Sequence, residues 1–178
     1  MLVNEANDPE GSKGPLHEQS AEAFKSLLDL NVVAVMSVSS AVLRHAMLAE
    51  GKGHIINISS KAGKVGLANM GPYVASKFAL EGLTSTMAAE LAETSIKVNS
   101  ISPGMVDTKA FPKAPGRPGV RTAESVGPGL LHILSSGMTG KYLHVDEYDA
   151  AVAAGQPDAA LKPINEPTFE VVPQQCAP

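Results

Sequence analysis

Tyr73-Val74-Ala75-Ser76-Lys77 sets a phenol and an ammonium four residues apart. On a helix, positions i and i+4 share a face, one turn apart. A lysine held there stabilises a tyrosinate and draws the phenol below its ordinary pKa of about 10, into the range of acid/base work. Tyr and Lys meet by chance on many helix faces, so the spacing alone is a weak sign. Asn57-Ile58-Ser59-Ser60 strengthens it: a hydroxyl pair closes an apolar run, and Ser60 stands thirteen residues before Tyr73.

Outward from this stretch, the pattern alternates short apolar runs with helical periodicity. Leu2-Val3-Asn4 reads as the end of a strand, followed by turn chemistry from Asn7 to Pro15. Ser20 is placed to cap a helix from Ala21, and a second helix is expected from Asn31 to Glu50. That second segment carries two apolar stripes, Val32/Met36/Leu43/Met47 and Val35/Val38/Val42, and so is expected to be buried on more than one side. Gly53 to Ser59 reads as a buried strand, Ala62 to Met70 as a Gly-rich loop, and Pro72 to Glu93 as a helix. Ile96 to Ile101 is the next strand, stopped by Ser102-Pro103-Gly104. Residues 111–120 make a loop, Ala123 to Ser135 an amphipathic helix interrupted by Gly127-Pro128-Gly129, and Tyr142 to Val145 a last strand. Residues 149–178 turn to Ala, Pro, Gln and Asp and read as a disordered tail. Strands alternating with helices predict an α/β fold with a parallel sheet over 1–148.

The 178 residues allow one domain, or one domain and a tail. A net charge of −4 without a basic block argues against nucleic acid as a partner. Cys176 is the one cysteine, which excludes an intrachain disulfide framework and fits a reducing, cytoplasmic setting. The start lacks the basic and apolar regions of a signal peptide, and Leu30–Leu43 is short and serine-rich for a membrane span. Asn57-Ile58-Ser59 matches the glycosylation sequon, read as accidental at a buried strand end. The histidines at 17, 45, 54, 132 and 144 have no metal-ligand spacing, and no metal is expected.

With these strings in order, the chain resembles the short-chain dehydrogenase/reductase family. Asn31 matches the family's helix asparagine, Ser60 its serine, Tyr73 and Lys77 its Tyr-x-x-x-Lys, and Pro103-Gly104-Met105-Val106-Asp107-Thr108 its Pro-Gly-x-x-x-Thr turn. Thr139 to Asp146 resembles its final strand. The resemblance implies hydride transfer between NAD(P) and a small carbonyl or alcohol substrate, with Tyr73 as the proton donor or acceptor. It implies that Lys77 lowers the tyrosine pKa and holds the nicotinamide ribose, and that Ser60 hydrogen-bonds the substrate oxygen. Asn31 would hold a water leading from Lys77 to solvent. Asn4, Pro103, Gly104, Val106 and Thr108 would border the cofactor. Apart from the resemblance, Asn31 reads equally well as a helix N-cap, and Ser59 as the strand-end cap.

The departures are as specific. The family's Thr-Gly-x-x-x-Gly-x-Gly phosphate loop has no counterpart here. Leu2-Val3-Asn4-Glu5-Ala6-Asn7 stands where the family has Asn-Asn-Ala-Gly after its fourth strand, with Glu5 and Asn7 in place of Asn and Gly. The expected fold is therefore the C-terminal part of a Rossmann-like doubly wound sheet, lacking the first three strands and exposing the fourth as an edge. Asp146-Glu147-Tyr148 replaces Asp-Gly-Gly, and the loop after Thr108 is short. Two further readings stay open beside the oxidoreductase. One is an inactive scaffold or dimerisation partner, joined through the helices at 31–50 and 72–93; the other is an incomplete chain with a misplaced start site.

Overall fold

The computed structural model describes residues 1–5, 13–109, 112–113 and 116–165. Asn7, Cys176 and the tail beyond Asn165 lie outside the described residues. In chain order the elements are β1 (Leu2–Asn4), α1 (Ala21–Glu50), β2 (Lys52–Ile58), α2 (Gly71–Glu90), β3 (Ser95–Ser102), β4 (Met105–Val106) and β5 (Val120–Arg121). They are followed by α3 (Gly127–Ser135), β6 (Lys141–His144), α4 (Val145–Ala153) and β7 (Lys162–Pro163). The main sheet runs β1-β2-β3-β6-β7, parallel except for β7, and β4 pairs with β5 beside it. β1 is the outermost strand on one side, as expected.

Successive residues of β2 point to opposite faces, and the two faces carry separate cores. Ile55 packs with Met47, Ala88, Leu91, Ile96 and Val98 under α1 and α2. Ile56 packs with Ile101, Ile133, Leu143, Val145 and Leu161 under α3 and the C-terminal segment. A parallel strand covered on both sides carries apolar residues on both faces, which is why Ile55 and Ile56 stand side by side.

Three expectations change. The two helices expected between Ala21 and Glu50 are one. Ser20 caps it through Ala23 N at 3.0 Å, and π-helical turns at Asp29–Val33 and Leu43–Met47 carry the chain through. Asn31 therefore lies inside a helix, not at its N-cap. At 30 residues α1 is long and apolar enough to cross a bilayer by length and composition, longer than the segment considered from sequence. In this fold Asn31, Val35, Ser39 and Met47 are buried, while Leu30, Val33, Met36, Val38 and Leu48 are exposed.

The second change is at the C-terminus, where residues 149–165 are ordered rather than a tail. Glu147 and Tyr148, better helix formers than glycine, lie in the first turn of α4. His144 Nδ1 accepts from Asp146 N at 3.2 Å, and Asp146 and Glu147 complement the first-turn dipole. Leu161 enters the second core, and Lys162–Pro163 pairs on β6. Proline is tolerated there because its missing N–H lies on an edge. The third change is smaller: α2 stops at Glu90, short of Glu93, in a turn that closes on Thr94.

Candidate active site

The C-terminal ends of β1, β2 and β3 open on a crevice of about 90 Å³ against α2. Glu5, Ile58, Ser59, Ser60, Tyr73, Lys77, Pro103 and Gly104 line it. Gly104 has φ of 77°, a left-handed turn that swings the chain across the mouth. Gly63 packs so closely that a Cβ would stand 3.0 Å from the Lys77 carbonyl, so the loop after Ser60 is pressed onto α2.

Tyr73 and Lys77 share one face of α2, with Lys77 Nζ 5.6 Å from the centre of the phenol ring. Lys77 is 1% exposed and donates to the Ile58 carbonyl at 3.1 Å. Burial pulls its pKa down to about 8, opposed by the negative charges of Glu5 and Glu81. Burial pushes the Tyr73 phenol up, and a hydrogen bond with Ser60 draws it partly back.

Both serines line the crevice, and the cap expected of Ser59 is made by Ser60. Ser60 caps the short 3-10 turn after β2, accepting from Ala62 N at 3.2 Å while facing Tyr73. The Ser59 hydroxyl lines the crevice without a partner among the described residues. Asn31 is fully buried behind α2: its Nδ2 donates to Ser76 Oγ at 3.1 Å, and Ser76 donates to the Tyr73 carbonyl at 2.8 Å. Its Oδ1 is buried and unpartnered, so it faces the interior with one acceptor to spare.

Three of the expected cofactor residues, Asn4, Val106 and Thr108, do not line this crevice. Asn4 is pinned in the interior, its Nδ2 shared between Asn57 Oδ1 at 2.9 Å and Ser39 Oγ at 3.0 Å. It holds β1 in place rather than lining the mouth. Val106 lies on β4 and Thr108 follows it, both beyond the Pro103-Gly104 turn. Pro103 and Gly104 do line the crevice.

Sequence reasoning missed Glu81 and Ser76. Glu81 extends the Tyr73/Lys77 face by another helical turn, an i, i+4, i+8 series that could have revealed it. Its carboxylate takes Lys64 Nζ at 3.1 Å and Ser100 Oγ at 3.0 Å. A larger cavity of about 440 Å³, lined by Lys61, Lys64, Tyr142, His144 and Lys162 among others, lies outside the Tyr73 crevice.

A family model described as short chain dehydrogenase matches residues 1–116. The chain belongs to the short chain dehydrogenase family. Among its relatives, the 3alpha-hydroxysteroid dehydrogenase of Mediterraneibacter gnavus is 34% identical over 82% of this chain and 63% of its own length. The cis-4-hydroxycyclohexanecarboxylate dehydrogenase of Sinomonas cyclohexanicum is 38% identical over 54% of this chain and 38% of its own. The chain thus spans less than two thirds of these relatives.

Among solved structures, a gluconate 5-dehydrogenase from Burkholderia cenocepacia in complex with NADP and tartrate superposes with a TM-score of 0.71 at 27% identity. It is matched over 80% of this chain and 61% of its own. A short chain dehydrogenase from Salmonella enterica serovar Typhi gives 0.72 at 28% identity, over 80% and 60%. The parallel sheet and flanking helices are therefore those of this family's Rossmann fold.

Lys77 and the Pro103-Gly104 turn bound the crevice on facing sides, and Lys77 brings a hydrogen-bond donor to it. No Gly-rich turn opening a helix toward the mouth of β1 occurs among the described residues to receive a pyrophosphate.

Proposed function

We propose that this chain carries the proton-transfer half of an NAD(P)-dependent oxidoreductase acting on a small carbonyl or alcohol. The observation that carries the reading is the convergence of Ser60, Tyr73 and Lys77 on one crevice, with the phenol hydrogen-bonded to Ser60 and the ammonium beside its ring. Tyr73 would give its phenolic proton to a carbonyl oxygen on reduction and take it back on oxidation. Ser60 would donate to that oxygen as charge builds on it. Lys77, charged below pH of about 8, would stabilise the tyrosinate left behind and offer hydrogen bonds to the ribose. Asn31, through Ser76, fixes the first turn of α2 that carries Tyr73. When bound, the dinucleotide supplies or accepts the hydride.

Calorimetric titration with NADPH and with NADH tests this reading. Saturable heat with either is the expected result, and no heat at millimolar cofactor would end the enzyme reading for this chain.

One observation favours a second reading, that of a scaffold or dimerisation partner. A groove of about 420 Å³ runs between α1 and α2, lined by Met36, Leu43, Leu48, Leu83, Met87 and Leu91 among others. Apolar surface of this kind, continuous with the exposed residues of α1, marks an interaction face. Sedimentation distinguishes the two. A homo-oligomer that neither binds cofactor nor turns over supports the scaffold, whereas cofactor binding with turnover supports the enzyme.

A further inference from the structure

The cavity of about 440 Å³ shares no lining residue with the Tyr73 crevice. It lies among the turn after Ser60, the β6 strand, the first turn of α4 and the segment at β7. Sites that hold small molecules have volumes of roughly 300–1,000 Å³, with a largely apolar wall and a few polar groups. Val65, Pro163, Ile164 and the Tyr142 ring supply such a wall. The segment that closes it is fixed, because Leu161 and Ile164 are buried and Lys162–Pro163 pairs on β6.

Most of the charge in the lining is matched. Lys162 pairs with Glu147 at 2.6 Å, and Asp146 is taken by Arg121. Lys64 is held by Glu81 at 3.1 Å and by the Ile164 carbonyl, and lies over the Tyr142 ring. Lys61 is the exception: its ammonium has neither an ion pair nor a hydrogen-bond partner among the described residues. Its charge is near enough to act on His144, which also lines the cavity. His144 Nδ1 accepts from Asp146 N at 3.2 Å, and burial lowers the ring's pKa, so the neutral imidazole carries its proton on Nε2. The lining therefore offers one uncompensated ammonium and one neutral N–H donor beside apolar surface.

That inventory selects a ligand of one negative charge and an apolar body. A phosphate dianion would bring two charges against a single free ammonium, with Asp146 and Glu147 in the same lining. A cation would meet carboxylates already paired and an ammonium that repels it. We propose that this cavity is a binding site for small monocarboxylates with a ring-sized hydrocarbon body, held by Lys61 and His144 at the carboxylate and by Val65, Tyr142, Pro163 and Ile164 along the body. The site needs neither cofactor nor turnover, so it stands apart from the acid/base reading of Tyr73 and Lys77.

The test is a methyl NMR titration of the full chain with benzoate as the probe, read at the Val65 and Ile164 methyls. Saturable shifts of both at millimolar benzoate are the expected result. Benzamide keeps the ring and drops the charge, and should bind about fivefold more weakly. Lys61→Gln should weaken benzoate by about the same factor and leave benzamide unchanged, whereas Lys61→Arg should restore most of the affinity. Lys61 is exposed, so the fold tolerates either substitution. Benzamide bound as tightly as benzoate, a benzoate affinity indifferent to Lys61→Gln, or no methyl shift at tens of millimolar benzoate would each overturn the proposal. Because no cofactor is present, the outcome is independent of the calorimetric test, so a failure of either is read separately.

Discussion

Asn4 and Asn57 are bonded side chain to side chain across β1 and β2, Nδ2 to Oδ1 at 2.9 Å, deep beneath the crevice. The link continues in both directions. Asn4 also donates to Ser39 on α1, and Asn57 donates to Thr84 on α2 at 2.8 Å. One buried polar ladder thus ties both covering helices to the outermost strand. β1 has only three residues and one neighbouring strand, so side-chain bonds supply the fixing that a second neighbour otherwise would.

Asn4→Ala is expected to destabilise the fold by about 1–3 kcal/mol, because Asn57 Oδ1 is left buried without its donor. Urea unfolding followed by circular dichroism measures this.

Tyr73→Phe removes the phenolic proton and leaves the ring packing on Leu27 and Ala62 intact. If the chain turns over, kcat should drop about a hundredfold or more, the usual contribution of a placed acid/base. Cofactor binding measured by calorimetry should be little changed. Turnover retained by the phenylalanine variant would remove Tyr73 from the mechanism.

Much of this site was legible before any coordinates, and the reasons are local. Tyr73 and Lys77 are joined by helical geometry, and Pro103-Gly104 by a turn that only glycine suits. Ser60 ends an apolar run where a parallel strand must stop. The unreadable parts depend on registers and on chain far away in sequence. Asn31 looked like a helix cap because polar residues favour helix ends, yet tertiary burial absorbed it through a π-helical turn. Asn4 looked like a cofactor contact because its family position suggested one; the structure spends its amide on Ser39 and Asn57. Residues 149–165 looked like a tail because Ala, Pro and Gln carry little apolar signal. Leu161 and Ile164 supply the burial that composition concealed.

Lys64 and Glu81 form an ion pair at 3.1 Å with both side chains largely enclosed, and Lys64 also reaches the Ile164 carbonyl and the Tyr142 ring. Lys64→Met strips the partner from a buried carboxylate and should cost about 3–5 kcal/mol in urea unfolding. Replacing both members together, as Lys64→Met with Glu81→Leu, should recover much of the loss, since a well-packed apolar pair avoids desolvation. A double variant as unstable as the single one would show that Glu81 matters through Ser100 instead.

Arg121 on β5 is bonded to Asp146 and to Asp149 of α4, the latter at 2.8 Å, fastening the strand that follows the crevice's rim to the C-terminal helix. Both aspartates are more than half exposed, so solvent screens the pair and the expected stability change for Asp149→Ala is small, under about 1 kcal/mol. The local effect should be larger. Amide exchange at Asp107, whose N–H donates to the Arg121 carbonyl, should accelerate in that variant while β2 and β3 stay protected.

Lys77 fixes the sign of a pH dependence. Its folded pKa, about 8, lies below the ordinary lysine value, so the folded state is the first to release the proton as pH rises. Below the folded value both states hold the proton and the full burial cost is present. Between the folded and unfolded values the unfolded chain binds more protons than the folded one, and stability therefore rises with pH. Tyr73 works in the opposite sense, its raised pKa costing stability only as pH climbs past the ordinary phenol value, so the window below that isolates the lysine. From pH of about 7 to about 9.5, wild-type stability should gain up to about 2 kcal/mol relative to Lys77→Met, which has no proton to lose there. Urea unfolding of the two proteins in parallel across that range measures the difference. A wild-type stability that, relative to Lys77→Met, stays constant or falls as the buffer becomes more basic would mean that Lys77 is not enclosed as an ammonium at neutral pH.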